Sequence, residues 1–344
     1  MYYLKVKTLY IVLSLLFFNC SILGLTIDHS NHQKMDLLSS EIKRIVAYQP
    51  QSVFFAAYHL ESGKFLNING DLTFPMASLV KTFIACTYLD LVDEKKIDPD
   101  KKISIARENL RPYSIFSKLF IKPNIDISLN NLLEAMMIYS ENSATDILFH
   151  EIGGIKAINR FLKKNKLKGI TVSRSILELI SATDGIEVTD ENFISISDYY
   201  DRLSLVDKQS EEQSRKIFFS NTKDSSTALA YQKFLIEFQN GGLLSPSSTN
   251  YLKKIMKKNI YGKYRLKGFL PKNSFMHKTG SLSMLTNDAG IFELPKNKGH
   301  LILVGSVLER KPYRMPDSNE FIEKRDDLLA ILAKTFYDYI LFTE

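Results

Sequence analysis

The sequence predicts an α+β fold: an antiparallel sheet with flanking helices, into which an all-helical subdomain is inserted. Three observations predict it. Strand-like segments occur near both ends of the chain, and the long stretch between them is dominated by helical spacing. A third, the amphipathic run at the C-terminus, supplies a helix to cover the sheet.

Taken in order, Met35 to Tyr48 (MDLLSSEIKRIVAY) places apolar residues at helical spacing behind a capping Asp36. Ser52 to Leu60 (SVFFAAYHL) reads as a buried strand, Glu61 to Lys64 as a hairpin turn and Phe65 to Ile68 as the return strand. Pro75 then precedes a helix expected from Ser78 to about Val92. Helical signals continue over Ser128 to Tyr139, Ser143 to Ile152 and Ile155 to Lys166. Strand signals return late, in Ser274 to His277, Asp288 to Leu294 and His300 to Leu308. A final helix is expected from about Asn319 to Leu341.

The 344 residues, 45% hydrophobic and 24% charged, exclude a disordered, collagenous or many-times membrane-spanning chain. Two cysteines exclude a disulfide scaffold, and the six histidines show no metal-ligand spacing, so no metal or other cofactor is expected. A net charge of +7 is mild for this length and does not point to nucleic acid. The lysine-rich runs Lys163 to Lys168 and Lys253 to Lys258 read as solvated helix faces.

Residues 1–24 read as a secretory signal: Lys5 and Lys7, an apolar run from Leu9 to Phe18, then small or polar residues up to Gly24. An uncleaved anchor, or lipidation at Cys20, is the alternative and the one membrane association expected. Phe17, Phe18 and Asn19 do not make a good lipobox, however. Cleavage would remove two lysines and Cys20, leaving +5 and only Cys86, which fits a periplasmic or secreted protein without a disulfide.

The chemistry concentrates in Phe74-Pro75-Met76-Ala77-Ser78-Leu79-Val80-Lys81. A serine at a helix start with a lysine one turn on can be a nucleophile with its base. The S-x-x-K spacing alone is weak, because it also occurs at Ser40/Lys43 and Ser220/Lys223. What distinguishes Ser78 is its company: Ser140-Glu141-Asn142 between two helices, and Lys278-Thr279-Gly280-Ser281 on a late strand.

With these three motifs in order, and with RPYS (Arg111 to Ser114), MMIYSENSATDIL, GGLLSP and TNDAGIFELP around them, the chain resembles the class A β-lactamases, members of the penicillin-recognising serine hydrolases. The resemblance runs from about Met35 to the C-terminus. It implies a β-lactamase/transpeptidase-like fold in one catalytic domain, residues 25–344, with its helical subdomain at about 78–225. It also implies a monomer acting on a small β-lactam or peptidoglycan-like substrate. Ser78 would be acylated, Lys81 would take its proton, and Ser140 would relay a proton to the departing nitrogen. The backbone N–H groups of Ser78 and Ser281 would form the oxyanion hole. Asn142, Lys278, Thr279 and Gly280 would bind substrate, with Tyr113 at the cleft rim and Arg265 adding positive charge.

Two departures stand out. Glu141 occupies a position usually held by Asp. More consequentially, aligning Arg174-Ser175-Ile176-Leu177-Glu178-Leu179-Ile180 on Arg174 and Leu179 puts Ile176 where the family keeps its deacylating glutamate. Glu178 is a possible base only if the loop is rearranged; Asp184, Glu187, Asp190 and Glu191 are further unassigned acids. Asn142 to Lys278 spans 136 positions, about three dozen more than the family's usual interval. The excess is expected between about Ser181 and Ser220. Helical segments near Ser195 and Ser226 compete as the post-loop helix. Three activities remain open: a β-lactam hydrolase, a peptidase or esterase on other acyl donors, and a penicillin-binding module that acylates without turnover.

Overall fold

The computed structural model describes residues 31–47, 51–119, 125–188, 195–272, 274–309 and 319–344. The signal sequence, Asp190 and Glu191 lie outside these residues. Residues 1–47 form one unit, which contains helix α1 (Asn31–Ala47), and residues 48–344 form a second that contains everything else described below.

In chain order the second unit contains strands β1 (Gln51–His59), β2 (Phe65–Ile68) and β3 (Thr73–Pro75), then a 3₁₀ turn (Ala77–Val80) and helix α2 (Lys81–Asp93). Strand β4 (Lys102–Ile105), short helix α3 (Phe116–Leu119), strand β5 (Ile125–Ser128) and helices α4 (Leu129–Ile138), α5 (Asn142–Glu151) and α6 (Gly154–Lys164) follow. Next are α7 (Ile176–Asp184), α8 (Ile196–Leu205), α9 (Lys208–Ser220), β6 (Ser225–Thr227), α10 (Ala228–Gln239) and α11 (Pro246–Lys257). The chain closes with β7 (Phe275–Leu282), β8 (Leu285–Glu293), β9 (His300–Glu309) and α12 (Asn319–Thr343).

The main sheet has the order β2-β1-β9-β8-β7 and is antiparallel throughout, so β1 from the first part of the chain lies beside β9 from the last. The α+β architecture expected from the sequence is the one observed. Strand period two divides the sheet between two layers. Phe54, Ala56, Ile302 and Val304 join the core that contains Phe83 of α2 and Tyr231 and Phe234 of α10. The alternate face meets α12: a Cβ added at Gly305 would lie 2.6 Å from Leu329 Cδ2. With both faces covered, β9 is buried along nearly its whole length.

The helices start where side chains satisfy their unpaired N–H groups. Ser128 caps α4, Glu141 caps α5, and Ser245, followed by Pro246 at the first position, caps α11. Several boundaries differ from the sequence reading, among them the end of β7 at Leu282 rather than His277. The Ser78 segment is a 3₁₀ turn and the α-helix begins at Lys81. Strand β8 begins at Leu285 rather than Asp288, because Leu285 to Asn287 continue the β7 and β9 ladders.

The competition for the post-loop helix is decided by pairing. Ser225–Thr227 forms a two-stranded ladder with β3, immediately before the nucleophile turn, and Thr227 caps α10. The segment near Ser195 instead starts α8 inside the expanded loop.

Candidate active site

The turn that carries Ser78 is held from three sides. Ala77 adopts φ +48°, a left-handed conformation that costs a non-glycine residue of order 1 kcal/mol. Asn287 on β8 donates from Nδ2 to the carbonyls of Pro75 (2.8 Å) and Met76 (3.0 Å), and Met76 N–H donates to Asp224 O (2.9 Å). Gly280 on β7 lies directly against the turn: a Cβ there would come within 2.6 Å of Met76 O and 3.2 Å of Ser78 N. Gly280 therefore contributes by leaving room for the Ser78 and β7 backbones to approach, which is the relation an oxyanion hole requires.

One turn on, Lys81 is completely buried. Its Nζ donates to Ser140 O (2.6 Å), Ser140 Oγ (3.1 Å) and Asn142 Oδ1 (2.8 Å). Burial lowers its pKa to about 7, against the opposing pull of the Glu141 and Asp146 charges. Asn142 is fixed at its other end by donation from Nδ2 to Pro112 O (2.9 Å). Ser140, at φ +52°, also accepts on Oγ from Lys278 Nζ (2.9 Å). Two lysines therefore converge on one serine hydroxyl. Lys278 is buried as well, and desolvation, reinforced by Lys81 and Arg265, holds its pKa well below the ordinary value.

Glu141, the unusual acid, faces inward. Its carboxylate accepts from Ala144 N–H (2.5 Å) as the α5 cap and from the Ser114 hydroxyl. Burial raises its pKa.

Arg265 does not stand in the cleft. Its guanidinium donates to Gly280 O (3.2 Å), Asn287 O (2.9 Å) and Ser281 Oγ (2.8 Å), and it pairs with Asp326 (3.2 Å). These protein acceptors engage Arg265 and it braces the β7–β8 edge, while its charge reaches Lys278 and helps hold that lysine's pKa down. His277 is likewise internal, bonded through Nδ1 to Asp288 (2.8 Å) and stacked on Phe275.

The expanded loop is closed at its base by a buried ion pair. Arg174 Nε donates to Asp224 Oδ2 (2.5 Å), and Asp224 Oδ1 accepts from Ser173 N–H (2.7 Å) and Arg174 N–H (3.2 Å). Just inside it, Asp146 accepts from Ile176 N–H (2.7 Å), Leu177 N–H (3.2 Å) and Arg111 Nε (2.7 Å), tying the start of α7 to α5.

Glu178 completes a capping box with Ser175, accepting from Ser175 N–H at 2.7 Å. Ile176, Leu179 and Ile180, and not Glu178, line the cleft. As a possible base Glu178 is therefore corrected: the capping geometry turns its carboxylate toward its own helix start.

The cleft has a volume of about 700 Å³. Ser78, Asn142, Ser281 and Tyr113 line one side; α7, α8 and α9 supply the other. Tyr113 is latched to the loop, donating from its hydroxyl to Asp184 Oδ2 (3.0 Å) and from its N–H to Tyr200 Oη (3.2 Å). Lys278 and Thr279 are buried behind Ser140 rather than on the open wall.

A nucleophile turn, a buried lysine of lowered pKa and a lysine-bearing strand, joined through one serine, are the parts of a serine acyl-transfer site. A family profile described as the β-lactamase enzyme family matches residues 37–340. The chain belongs to the β-lactamase enzyme family. Within it, the protein is a class A β-lactamase-like serine enzyme. It is 28% identical to β-lactamase VEB-1 of Pseudomonas aeruginosa over 98% of both chains. It is 27% identical to β-lactamase BRO-1 of Moraxella catarrhalis, covering 81% of this chain and 77% of that one. Among solved structures, a β-lactamase from Chitinophaga pinensis DSM 2588 superposes with a TM-score of 0.67 at 27% identity, over 88% of this chain and 98% of that one.

Several residues that line the cleft or close its loop are not singled out by the sequence. Asp224 had a usable signal, an acid just before a capped helix, but nothing local pairs it with Arg174. Glu211 and Arg215 on α9 reach the cleft only because the loop folds back. Asp184 belonged to a group of unassigned acids, of which it is the one that lines the cleft among the described residues.

Proposed function

We propose that this protein is an exported serine hydrolase that opens β-lactam amides through an acyl-enzyme on Ser78. Residues 1–24 would direct export and be removed, releasing a monomeric catalytic domain of residues 25–344 to the periplasm or medium. The observation that carries the chemistry is the buried Lys81, with a pKa near 7 and a hydroxyl bridge through Ser140 to Lys278. A neutral Lys81 accepts the Ser78 proton as Oγ attacks the lactam carbonyl. The carbonyl oxygen takes the negative charge and rests on the N–H groups of Ser78 and Ser281, a contribution of about 3–4 kcal/mol per donor in such sites. As the C–N bond breaks, Ser140 passes a proton to the ring nitrogen. Lys278 and Thr279 attract the substrate carboxylate, while Asn142 positions the side-chain amide.

A second reading is favoured by the start of α7, at the family's glutamate position, which lines the same cleft as Ser78. Ile176, Leu179 and Ile180 offer no proton acceptor for a hydrolytic water. On this reading a penicillin-binding protein, or a peptidase or esterase acting on peptidoglycan-like donors, forms the ester quickly and releases it slowly. Intact-mass spectrometry of the protein lacking residues 1–24, after incubation with a penicillin, tests both. A mass gain mapped to Ser78 is expected; an unchanged mass after long incubation removes every lactam reading. A chromogenic cephalosporin then separates the two. Sustained turnover supports the hydrolase, and a single burst equal to the protein concentration supports the slow-release reading.

A further inference from the structure

The loop wall of the cleft is mostly apolar but carries three charges, on Asp184, Glu211 and Arg215. Their unused hydrogen-bonding capacity is unequal. Asp184 Oδ2 accepts from Tyr113 (3.0 Å) and Tyr199 (2.6 Å), whereas among the described residues Oδ1 has a long 3.4 Å contact from Thr183 Oγ1. That oxygen retains capacity for a further donor. Arg215 pairs through one terminal nitrogen with Glu211, its recorded partner among the described residues. Its other N–H groups are available to an anion.

Packing brings these groups together. Gly185, at φ +77°, ends α7 immediately after Asp184. A Cβ built there would lie 3.0 Å from Ser214 Oγ, next to Arg215 on α9. Glu211 is close enough for its charge to help push the Tyr113 phenol upward, after burial and Asp184. Helix α7 carries Ile176, Leu179 and Ile180 on the cleft and ends at Asp184, so the apolar lining and this polar end follow one another along one helix. The cleft volume falls within the range that holds a drug-sized ligand.

We propose that this wall is a recognition subsite for acyl donors whose side chain is an aliphatic stem ending in an α-amino-acid head. The ammonium is received by Asp184 and the carboxylate by Arg215. The stem crosses the apolar floor. A zwitterionic head matches neighbouring acceptor and donor groups that a neutral aromatic substituent leaves unmatched, which is a basis for discrimination. The inference rests on the reading that Ser78 is acylated, and it specifies the substrate class of that same site.

The test uses three cephalosporins with one nucleus and one leaving group. Their side chains are α-aminoadipyl, adipyl without the amine, and neutral thienylacetyl. The rate of Ser78 mass gain is measured for each with the protein lacking residues 1–24. The α-aminoadipyl compound is expected to acylate about tenfold faster than either of the others. R215Q is expected to reduce the α-aminoadipyl to thienylacetyl rate ratio by about tenfold, and D184N to reduce the α-aminoadipyl to adipyl ratio. Equal wild-type rates overturn this inference alone and need no folded variant, as does a proportionate fall of all rates in R215Q. No mass gain with any compound overturns the acylation reading and this inference with it.

Discussion

The two sides of the cleft are built on opposite principles. On the Ser78 side, Lys81, Ser140, Asn142 and Lys278 form a buried polar network with defined partners at 2.6–3.1 Å. On the loop side, Ile176, Leu179 and Ile180 present hydrocarbon, and the polar lining comes from Thr183, Asp184, Glu211 and Arg215. The first side is suited to forming an ester, because desolvation leaves a lysine partly neutral near neutral pH and the network supplies directed donors. The second is suited to sheltering that ester from water. Equipment for acylation and equipment for deacylation are therefore separable on one scaffold.

The largest expected effect breaks the first side. S78A should abolish the mass gain from a penicillin and lower any lactam turnover by at least about 10³-fold, measured by intact mass and a chromogenic substrate. The second side is sharpened by I176E, which should speed ester release by about 10²-fold in a pulse-chase of the acylated protein. An unchanged release rate would show that position 176 does not face the ester.

Next in size is the loop closure. D224A leaves Arg174 without its partner, and the Arg174 side chain is 12% exposed. Stability should fall by about 2–4 kcal/mol, read by urea unfolding. Early protease cleavage inside 175–223 is also expected, and unchanged stability would contradict the closure.

A pH profile addresses Lys81. With its pKa near 7, the neutral base is scarce at low pH. The acylation rate should rise about tenfold per pH unit below that value and level off above it. A flat profile from pH 5 to 8 would remove Lys81 as the base. The smallest effect concerns Glu178. E178A should cost about 1 kcal/mol through the lost capping box and leave the ester-release rate within about twofold. A large fall in release would restore Glu178 to the chemistry.

Much of this was legible in the chain. The strand segments at both ends, the capped helices and the three motifs that meet at Ser140 rest on local spacing, which survives folding because each motif is a run of only three or four residues. The loop was legible only as surplus length. Its polar residues have no periodicity that separates Asp184, on the cleft, from Glu178, turned back to its helix cap. Arg265 illustrates the same limit. Its place near the K-T-G strand is readable in the chain, but the four protein acceptors that engage it are not.

By itself the sequence determined the α+β class, the serine–lysine motif at Ser78 and the absence of a glutamate at position 176, since each depends on residue identity at short, fixed spacing. Only the tertiary structure decided which helix follows the loop, that Arg174 and Asp224 close it across 50 positions, and which charges line the cleft. Those are contacts between residues distant in the chain, and their energies arise only once burial and backbone pairing have brought the partners together.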